Sequence, residues 1–220
     1  MKSKVVTMDT AMSKIRSGMT LMIPGFVNVG TPLGLVKAIC EKGYGDFHVI
    51  SNNTGTPDVP GIGKLVLEHR IRALTASHIG LNPESGKQMN SGQMKVNLVP
   101  QGTLAERIRI GGAGIGGFLT PTGVGTMVEE GKQVIEVEGK KYLLELPLRA
   151  DVAILRAWKA DEFGNLIYRR SARNFNPLMA MAADFVIVEA DQVVPVGELD
   201  PDAIVTPGVV VDMIVQSREA

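Results

Sequence analysis

The sequence predicts an α/β fold: an open, mostly parallel β-sheet with flanking helices, plus a small antiparallel β-hairpin lobe. Short segments rich in Val, Ile and Leu alternate along the chain with segments of helical periodicity. This order is typical of a parallel sheet with crossover helices. One stretch departs from it, because residues 133–146 consist of two alternating strands around a turn at Glu138-Gly139-Lys140. That pattern predicts a hairpin that projects from the main sheet.

The helices are predicted from capping residues and periodicity. Thr7 or Asp9 is expected to cap a first helix that runs to Arg16, since their side-chain oxygens accept from free N–H groups of the first turn. Thr31 is expected to cap the second helix, which ends at Gly43. Further helices are expected over residues 64–68, 103–110 and 176–183, and residues 82–92 are expected to form a polar excursion.

The strands are predicted where short apolar runs end in turn residues. They are expected over residues 20–23, 47–51, 71–77, 96–99, 152–157, 165–168, 185–189 and 209–215. The chain shows no internal repeat, low-complexity tract or linker, and its 220 residues are 45% hydrophobic. These observations predict one domain over residues 1–220.

Composition also limits the class of partner. The 23 Lys and Arg residues balance the 23 Asp and Glu residues, so no overall positive field is present to attract nucleic acid or an anionic membrane. Cys40 is the single cysteine, which excludes an intrachain disulfide and fits a reducing compartment. The N-terminal residues lack the apolar core of a signal peptide, and no apolar run reaches the ~18 residues of a membrane helix. We therefore expect a cytoplasmic protein.

Residues 111–125 contain seven glycines. Glycine at this density indicates backbone that lies close to a ligand or to other backbone. Gly112, Gly114 and Gly117 match the letters of the dinucleotide fingerprint, which requires a strand before it and a helix after it. Here a helix precedes and Pro121 follows, so a dinucleotide site is not predicted. A P-loop is excluded because no G-K-[ST] occurs. We expect a helix, a glycine turn and an irregular extended segment.

Three predicted strand-to-helix junctions carry amide or glycine residues: 24–32, 51–55 and 100–103. In a parallel sheet these junctions face the same edge, where open α/β folds place their ligand crevices. Asn52, Asn53 and Gln101 lie at two of them, and amide N–H groups are suited to hold a carbonyl oxygen or a carboxylate. Ordinary turns remain the alternative interpretation, because Asn and Gly are common turn residues.

A matching nucleophile is not found in the sequence. The three histidines show no metal-ligand spacing, so no metal site is predicted, and no G-x-S-x-G elbow is present. The carboxylates at Glu129, Glu130, Glu136 and Glu138 are explained as solvated faces of the hairpin region. The sequence thus predicts a crevice that binds a carboxylate or carbonyl but contains only half of an active site.

Taken together, these motifs resemble the alpha subunit of the class I CoA-transferases. This family includes acetate/acetoacetate and butyrate–acetoacetate CoA-transferases and the N-terminal half of succinyl-CoA:3-oxoacid CoA-transferase. One departure is that Pro24 stands where the family usually has the first residue of a Gly-Gly-Phe triplet, and another is Ser17 before Gly18. The segments that carry the resemblance are SGMTLMIPGFVNVGTP (17–32), ISNNTG (50–55), VPQGTLAERIRIGGAGIGGFLTPTGVGT (99–126), LLELPLRADVAILRAWKAD (143–161) and SARNFNPLMAMAA (171–183).

The resemblance implies a CoA-transferase fold of the kind shared with ribose-5-phosphate isomerase-like proteins. It also implies ping-pong exchange of CoA between a short-chain acyl-CoA (acetyl-, butyryl- or acetoacetyl-CoA) and a free carboxylate, with CoA as a substrate and no cofactor. The family's nucleophile is a glutamate in a Ser-Glu-Asn-Gly motif of the beta subunit, and this motif does not occur here. The implied assembly is two alpha with two beta subunits.

The resemblance also assigns site residues. Gln101 matches the glutamine of the family's V-P-Q-G-T-L motif and is expected to donate to the oxyanion in the acyl pocket. Whether the glycines near residue 115 contact the acyl group, contact the partner or only serve packing is left open. The substrate-binding positions implied are Asn52, Asn53, Gly25, Phe26, Gly30, Gly114 and Gly116.

Two other functions fit the same sequence. One is a CoA-transferase alpha subunit for succinate or 3-oxoadipate, which a basic side chain in the acyl pocket would favour. The other is a non-catalytic α/β protein that binds a small carboxylate or serves as a scaffold. A partner chain with the Ser-Glu-Asn-Gly motif distinguishes the transferase from the scaffold.

Overall fold

The computed structural model describes residues 2–57 and 60–217, which form a main sheet flanked by helices and a small second sheet. The helices are α1 (Met8–Met12), α2 (Leu33–Glu41), α3 (Ile62–Leu67), α4 (Pro83–Asn90), α5 (Gln101–Ala113) and α6 (Asn176–Met181). The strands are β1 (Thr20–Met22), β2 (Phe47–Ile50), β3 (Ile71–Ala76), β4 (Lys95–Leu98), β5 (Phe118–Thr120), β6 (Val134–Val137), β7 (Lys140–Glu145), β8 (Ala150–Asp161), β9 (Leu166–Ile167), β10 (Ala183–Val194) and β11 (Met213–Gln216).

The main sheet follows the spatial order β11-β10-β8-β1-β2-β3-β4. Every neighbouring pair along this path is parallel, and β9 pairs with β8 in the antiparallel direction. The chain moves outward from β1 to β4 and then returns to the other side of β1 with β8. The loop after β1 therefore lies at a topological switch point, where ligand crevices form in open α/β sheets. The predicted fold is confirmed.

Two apolar layers cover the two faces of this sheet. One layer contains buried side chains of α1, α2 and α3, among them Met12 and Leu35. The other contains buried side chains of α5 and α6, among them Leu104 and Met179. Strands covered on both faces are expected to be nearly continuous in apolar residues, which explains the short Val- and Ile-rich runs of the sequence.

The predicted hairpin lobe is present as β6 and β7, and β5 adds a third antiparallel strand in the order β5-β7-β6. Part of the segment predicted to be irregular is therefore an edge strand. Glu145 fixes the lobe to the main body: this buried carboxylate accepts from Lys132 Nζ at 2.5 Å and lies 3.7 Å from Arg107 Nε on α5. Two cations beside one carboxylate offset the cost of its burial.

The glycine turn predicted after residue 110 was wrong. α5 begins at Gln101 and continues through Gly111 and Gly112 before Gly114 ends it at a φ of +69°. A Cβ at Gly111 would lie 2.0 Å from Leu148 O, and one at Gly112 would lie 2.6 Å from the Cβ of Met181. These glycines serve close packing inside a helix, a role that sequence cannot distinguish from a turn.

Several capping and boundary predictions were also wrong. Thr7 alone caps α1, which ends at Met12 rather than Arg16. The Thr31 hydroxyl donates to Pro24 O at 3.0 Å instead of capping α2. The segment predicted as a polar excursion contains helix α4, which Asn82 caps. The helix was missed because its polar residues hide the helical periodicity. Strands β8 and β10 extend to twelve residues each through charged positions that interrupt their apolar runs, and the last strand is confined to β11.

We predict that Gly111→Ala lowers the free energy of unfolding by about 1–3 kcal/mol, since the added methyl group overpacks against the backbone at Leu148. The matched control is Gly102→Ala in the same helix, where no atom lies within 4 Å of the new Cβ. That change is expected to raise stability by up to about 1 kcal/mol, because alanine favours helix. Urea unfolding at one protein concentration measures both, and equal effects of the two substitutions would contradict the packing role.

Candidate active site

The loop after β1 forms a tight two-residue hairpin at the switch point. Phe26 N–H donates to Val29 O and Val29 N–H donates to Phe26 O, both at 3.0 Å. The two central residues, Val27 and Asn28, have φ values of +47° and +69°. A β-branched residue in this region is a backbone outlier, and such strain concentrates at ligand sites. The turn leaves Phe26 59% exposed at the edge of the sheet.

Two glycines of this loop permit its shape. Gly25 has a φ of +133°, and a Cβ there would lie 1.9 Å from Thr31 Oγ1. Gly30 has a φ of +80°, and a Cβ there would lie 2.4 Å from Ala172 O. The absence of a side chain at Gly30 lets the segment around residue 172 pack directly on the loop. Contact of Gly25 or Gly30 with a substrate stays a prediction.

Asn174 fixes that second segment to the loop. It follows a short 3₁₀ helix, Arg170–Arg173, and its Nδ2 donates to Val29 O at 2.8 Å and to Ser171 O at 3.1 Å. Residues from opposite ends of the chain thereby form one wall of the crevice.

Three side-chain amides cross the sheet edge in a continuous chain of hydrogen bonds, which we call the amide relay. Gly55 N–H donates to Asn53 Oδ1 at 2.8 Å, and Asn53 Nδ2 donates to Asn52 Oδ1 at 3.0 Å. Asn52 Nδ2 then donates to Gln101 Oε1 at 3.0 Å. Asn52 and Asn53 are buried. The structure therefore brings together the three amide residues predicted from their positions after β2 and β4.

The direction of the relay is fixed by its first member. A backbone N–H can only donate, so Asn53 must turn its oxygen towards Gly55 and its nitrogen towards Asn52. Asn52 must then accept through Oδ1 and donate through Nδ2, and Gln101 must accept through Oε1. Among the hydrogen bonds of the described residues none uses Gln101 Nε2. Its two N–H groups are thus left to donate to a ligand.

The relay borders a cavity of about 430 Å³, within the usual size range of small-molecule sites. The amides of Asn52 and Gln101 contribute polar atoms to its lining. None of the lining side chains ionises near neutral pH. The other lining residues are Phe26, Val29, Ser171, Asn174, Phe175 and Leu178.

Five of these lining residues were not predicted from the sequence as site residues: Val29 in the loop after β1, and four residues much later in the chain. Ser171, Asn174, Phe175 and Leu178 come from the 3₁₀ helix and α6, more than a hundred residues after the loop that they pack against. The signal that could have found them is the segment SARNFNPLMAMAA, which carried part of the family resemblance.

Gly114 and Gly116 lie away from this cavity. Gln101 begins α5 and Gly114 follows its last residue, so the two are separated by about 20 Å along the helix axis. A Cβ at either glycine would meet no atom within 4 Å. The structure does not bring them to Gln101, and their contact with a substrate or a partner stays a prediction.

The cavity lacks an activated nucleophile. Ser171 is the only hydroxyl among the lining residues, and no histidine or carboxylate lines the cavity to take its proton. His48 lies within β2, where its Nε2 is 2.9 Å from Thr75 Oγ1 and burial lowers its pKa. In residues 2–57 and 60–217 no group of three or more His, Cys, Asp and Glu side chains is placed to hold a metal ion.

No helix within the described ranges combines the length and apolar character needed to cross a membrane.

The parallel sheet thus carries an amide-lined crevice, and no activated nucleophile is found among the residues that line it. The sequence model of the family described as Coenzyme A transferase matches residues 5–217. The chain belongs to this family, and the predicted resemblance is confirmed.

Three similar relatives are named as single subunits of CoA-transferases. The chain is 57% identical to the alpha subunit of acetate CoA-transferase of Escherichia coli K12, over 100% of both chains. It is 46% identical to the alpha subunit of acetoacetyl-CoA:acetate/butyrate CoA transferase of Clostridium acetobutylicum, over 98% of this chain and 99% of the relative. It is 44% identical to one subunit of succinyl-CoA:3-ketoacid coenzyme A transferase of Helicobacter pylori J99, over 99% of this chain and 94% of the relative.

A solved structure supports the fold. An acyl-CoA transferase of E. coli O157:H7, in a thioester complex with CoA, aligns with a TM-score of 0.88 at 20% identity. The alignment covers 100% of this chain and 50% of that one. This fold therefore occupies about half of a longer chain in that protein.

We predict that Asn53→Asp lowers kcat for CoA transfer about 100-fold, the cost of losing one oriented oxyanion donor. The carboxylate still accepts from Gly55 N–H but cannot donate to Asn52. The side-chain amides of Asn52 and Gln101 then rotate so that their oxygen and nitrogen atoms exchange places. Gln101 thereby presents Oε1 instead of Nε2 to the cavity. Asn53 does not line the cavity, so the effect acts through the relay.

Initial-rate kinetics with the partner subunit present measures this change. Asn97→Asp is the matched control, because Asn97 is exposed on β4, and it is expected to retain the wild-type kcat. An Asn53→Asp complex with wild-type kcat would show that the direction of the relay has no catalytic role.

Proposed function

We propose that this chain is the alpha subunit of a CoA-transferase that moves CoA between short-chain acyl-CoA and free short-chain carboxylates. The observation that carries the proposal is an uncharged cavity with the Gln101 amide donor in its lining and no activated nucleophile of its own. The donor suits the carbonyl oxygen of a thioester, and the missing nucleophile is supplied by a partner subunit. CoA is a substrate, and no further cofactor is required.

The proposed reaction is nucleophilic exchange through the partner's glutamate. Its carboxylate attacks the thioester carbonyl, the C–S bond breaks and CoA leaves as a thiolate, which produces an acyl-glutamyl anhydride. The thiolate then attacks the glutamyl carbonyl, the acyl group departs as a carboxylate, and CoA remains as a glutamyl thioester. A second carboxylate reverses these steps and leaves as the new acyl-CoA.

Gln101 has a defined task in the tetrahedral intermediates that form on the acyl carbonyl. Its Nε2 donates to the oxyanion that develops on the acyl carbonyl, and the relay to Gly55 holds the carboxamide in that orientation before the substrate arrives. Preoriented donors of this kind contribute about 3–4 kcal/mol to transition-state stabilisation. Asn52 positions Gln101 and covers the adjacent wall of the cavity.

The walls of the cavity support monocarboxylic substrates such as acetate, butyrate and acetoacetate. Phe26, Val29, Phe175 and Leu178 contribute apolar side chains to the lining, and its polar side chains are all uncharged. A second carboxylate on succinate or 3-oxoadipate would lie against these side chains without a cation, and an unpaired buried charge is costly. The lining of the cavity therefore favours acetate or butyrate over a dicarboxylate, although relatives of both kinds share 44% identity or more with the chain.

The proposed partner is a beta subunit, in an assembly of two alpha with two beta chains in the cytoplasm. Phe26 and Val29 are 59% and 48% exposed beside the cavity, and apolar side chains at that edge favour cover by another chain. The balanced charge of the sequence supports no role for nucleic acid or membrane.

The test is formation of acetyl-CoA from butyryl-CoA and acetate, assayed with this chain alone and with its beta subunit. Activity is expected only in the mixture. With succinate as the acceptor, kcat/KM is expected to be at least about 100-fold lower than with acetate, from the cost of the unpaired carboxylate. Turnover by the chain alone would disprove the half-site, and equal use of succinate would disprove the substrate class.

A further inference from the structure

Leu178 is shared by two cavities, the one beside the amide relay and a smaller one. It lines the cavity of about 430 Å³ beside the amide relay and also a cavity of about 150 Å³ between α5 and α6. The other residues of the smaller cavity are Arg109, Gly112, Ala113 and Met181. Leu178 is the one side chain common to both linings.

The smaller cavity is lined mainly by apolar groups. Gly112 and Ala113 present backbone and one methyl group, and Met181 is a flexible thioether that adapts to a ligand. The guanidinium of Arg109 is held by Glu106, with Nη2 2.7 Å from Oε1, so its alkyl stem remains to cover the cavity. This lining suits methylene groups.

The backbone that carries Leu178 is rigidly placed. Asn176, at the start of α6, is fully buried and donates through Nδ2 to Gly30 O at 3.0 Å and to Ala172 O at 2.9 Å. Its Oδ1 accepts from Arg156 N–H at 2.9 Å. One residue after Leu178, Met179 is fully buried against the sheet. A side chain on such a support forms a fixed wall rather than a mobile one.

We propose that Leu178 sets the acyl chain length that the enzyme accepts, by closing the smaller cavity to the substrate. This inference rests on the proposed function, since it assumes that the acyl group occupies the larger cavity. An acyl chain anchored by its carbonyl at Gln101 extends along Phe26 and Phe175 and meets Leu178 at its far end. Shorter chains fit in front of this side chain, and longer chains collide with it.

Substitution of Leu178 by alanine removes most of this side chain and joins the two cavities. A methylene group that moves from water into an apolar cavity raises kcat/KM about fourfold. Leu178→Ala is therefore expected to raise the ratio of kcat/KM for hexanoyl-CoA to that for butyryl-CoA by about 15-fold, since two further methylene groups become buried. Leu178→Phe enlarges the wall and is expected to lower the ratio for butyryl-CoA to acetyl-CoA.

The experiment uses the assembled complex of this chain with its beta subunit. It measures kcat/KM for acetyl-, butyryl-, hexanoyl- and octanoyl-CoA with acetate as the acceptor. Met181→Ala is the matched control, because Met181 lines only the smaller cavity. While Leu178 is present, this change is expected to leave the chain-length profile unchanged. In the double variant with Leu178→Ala it is expected to extend the profile to octanoyl-CoA.

A general loss of packing would lower kcat/KM for all the thioesters alike. Removal of the Leu178 barrier raises the ratio of kcat/KM for longer to shorter chains. A Leu178→Ala complex that keeps the wild-type ratio of hexanoyl-CoA to butyryl-CoA overturns the inference, and so does a Leu178→Phe complex with an unchanged butyryl-to-acetyl ratio. If Leu178→Ala does not assemble, Leu178→Val is measured in its place with an expected rise of about fourfold. Failure of the proposed function is seen separately, as a wild-type complex that is inactive with all four thioesters.

Discussion

The hydrogen bond from Gly55 N–H to Asn53 is the constraint on which the candidate site depends. A backbone N–H can only donate, so this bond determines the orientation of three successive side-chain amides. β2 and β4, the strands that precede Asn52 and Gln101, are separated in the sheet by β3. Two strand spacings amount to about 10 Å, a distance that the two amide side chains bridge together. The parallel sheet thus supplies both the separation and the common edge that the relay requires.

The sequence predicted a substantial part of this arrangement. The positions of Asn52, Asn53 and Gln101 after predicted strands placed them at one sheet edge, and the structure confirms that they meet. It did not predict that Gln101 opens a helix, nor the orientation of its amide, since both depend on contacts across the sheet. Glycine was the least informative residue type: Gly30 serves a turn, whereas Gly111 and Gly112 serve helix packing.

The wall formed by residues 171–178 was missed for a different physical reason. Its members are held by Asn174 and Asn176, which bond to backbone oxygens of the loop after β1 nearly 150 residues earlier. Local periodicity contains no information about such long-range contacts. The loop itself places Val27 and Asn28 at positive φ, a conformation that their side chains do not suggest. The site thus combines a predictable polar edge with an apolar wall that only the fold defines.

This division corresponds to a division of chemical tasks. In the proposed function, the chain orients the acyl group and its oxyanion, and the partner contributes the group that forms and breaks bonds. The most direct measurement is a crystal structure of the alpha–beta complex with bound acetoacetate or butyrate. We predict a carboxylate oxygen within about 3.2 Å of Gln101 Nε2, the bond from Asn52 to Gln101 retained, and the alkyl chain against Phe26 and Leu178. A carboxylate bound elsewhere, or Gln101 with Nε2 turned back to Asn52, would contradict the proposed site.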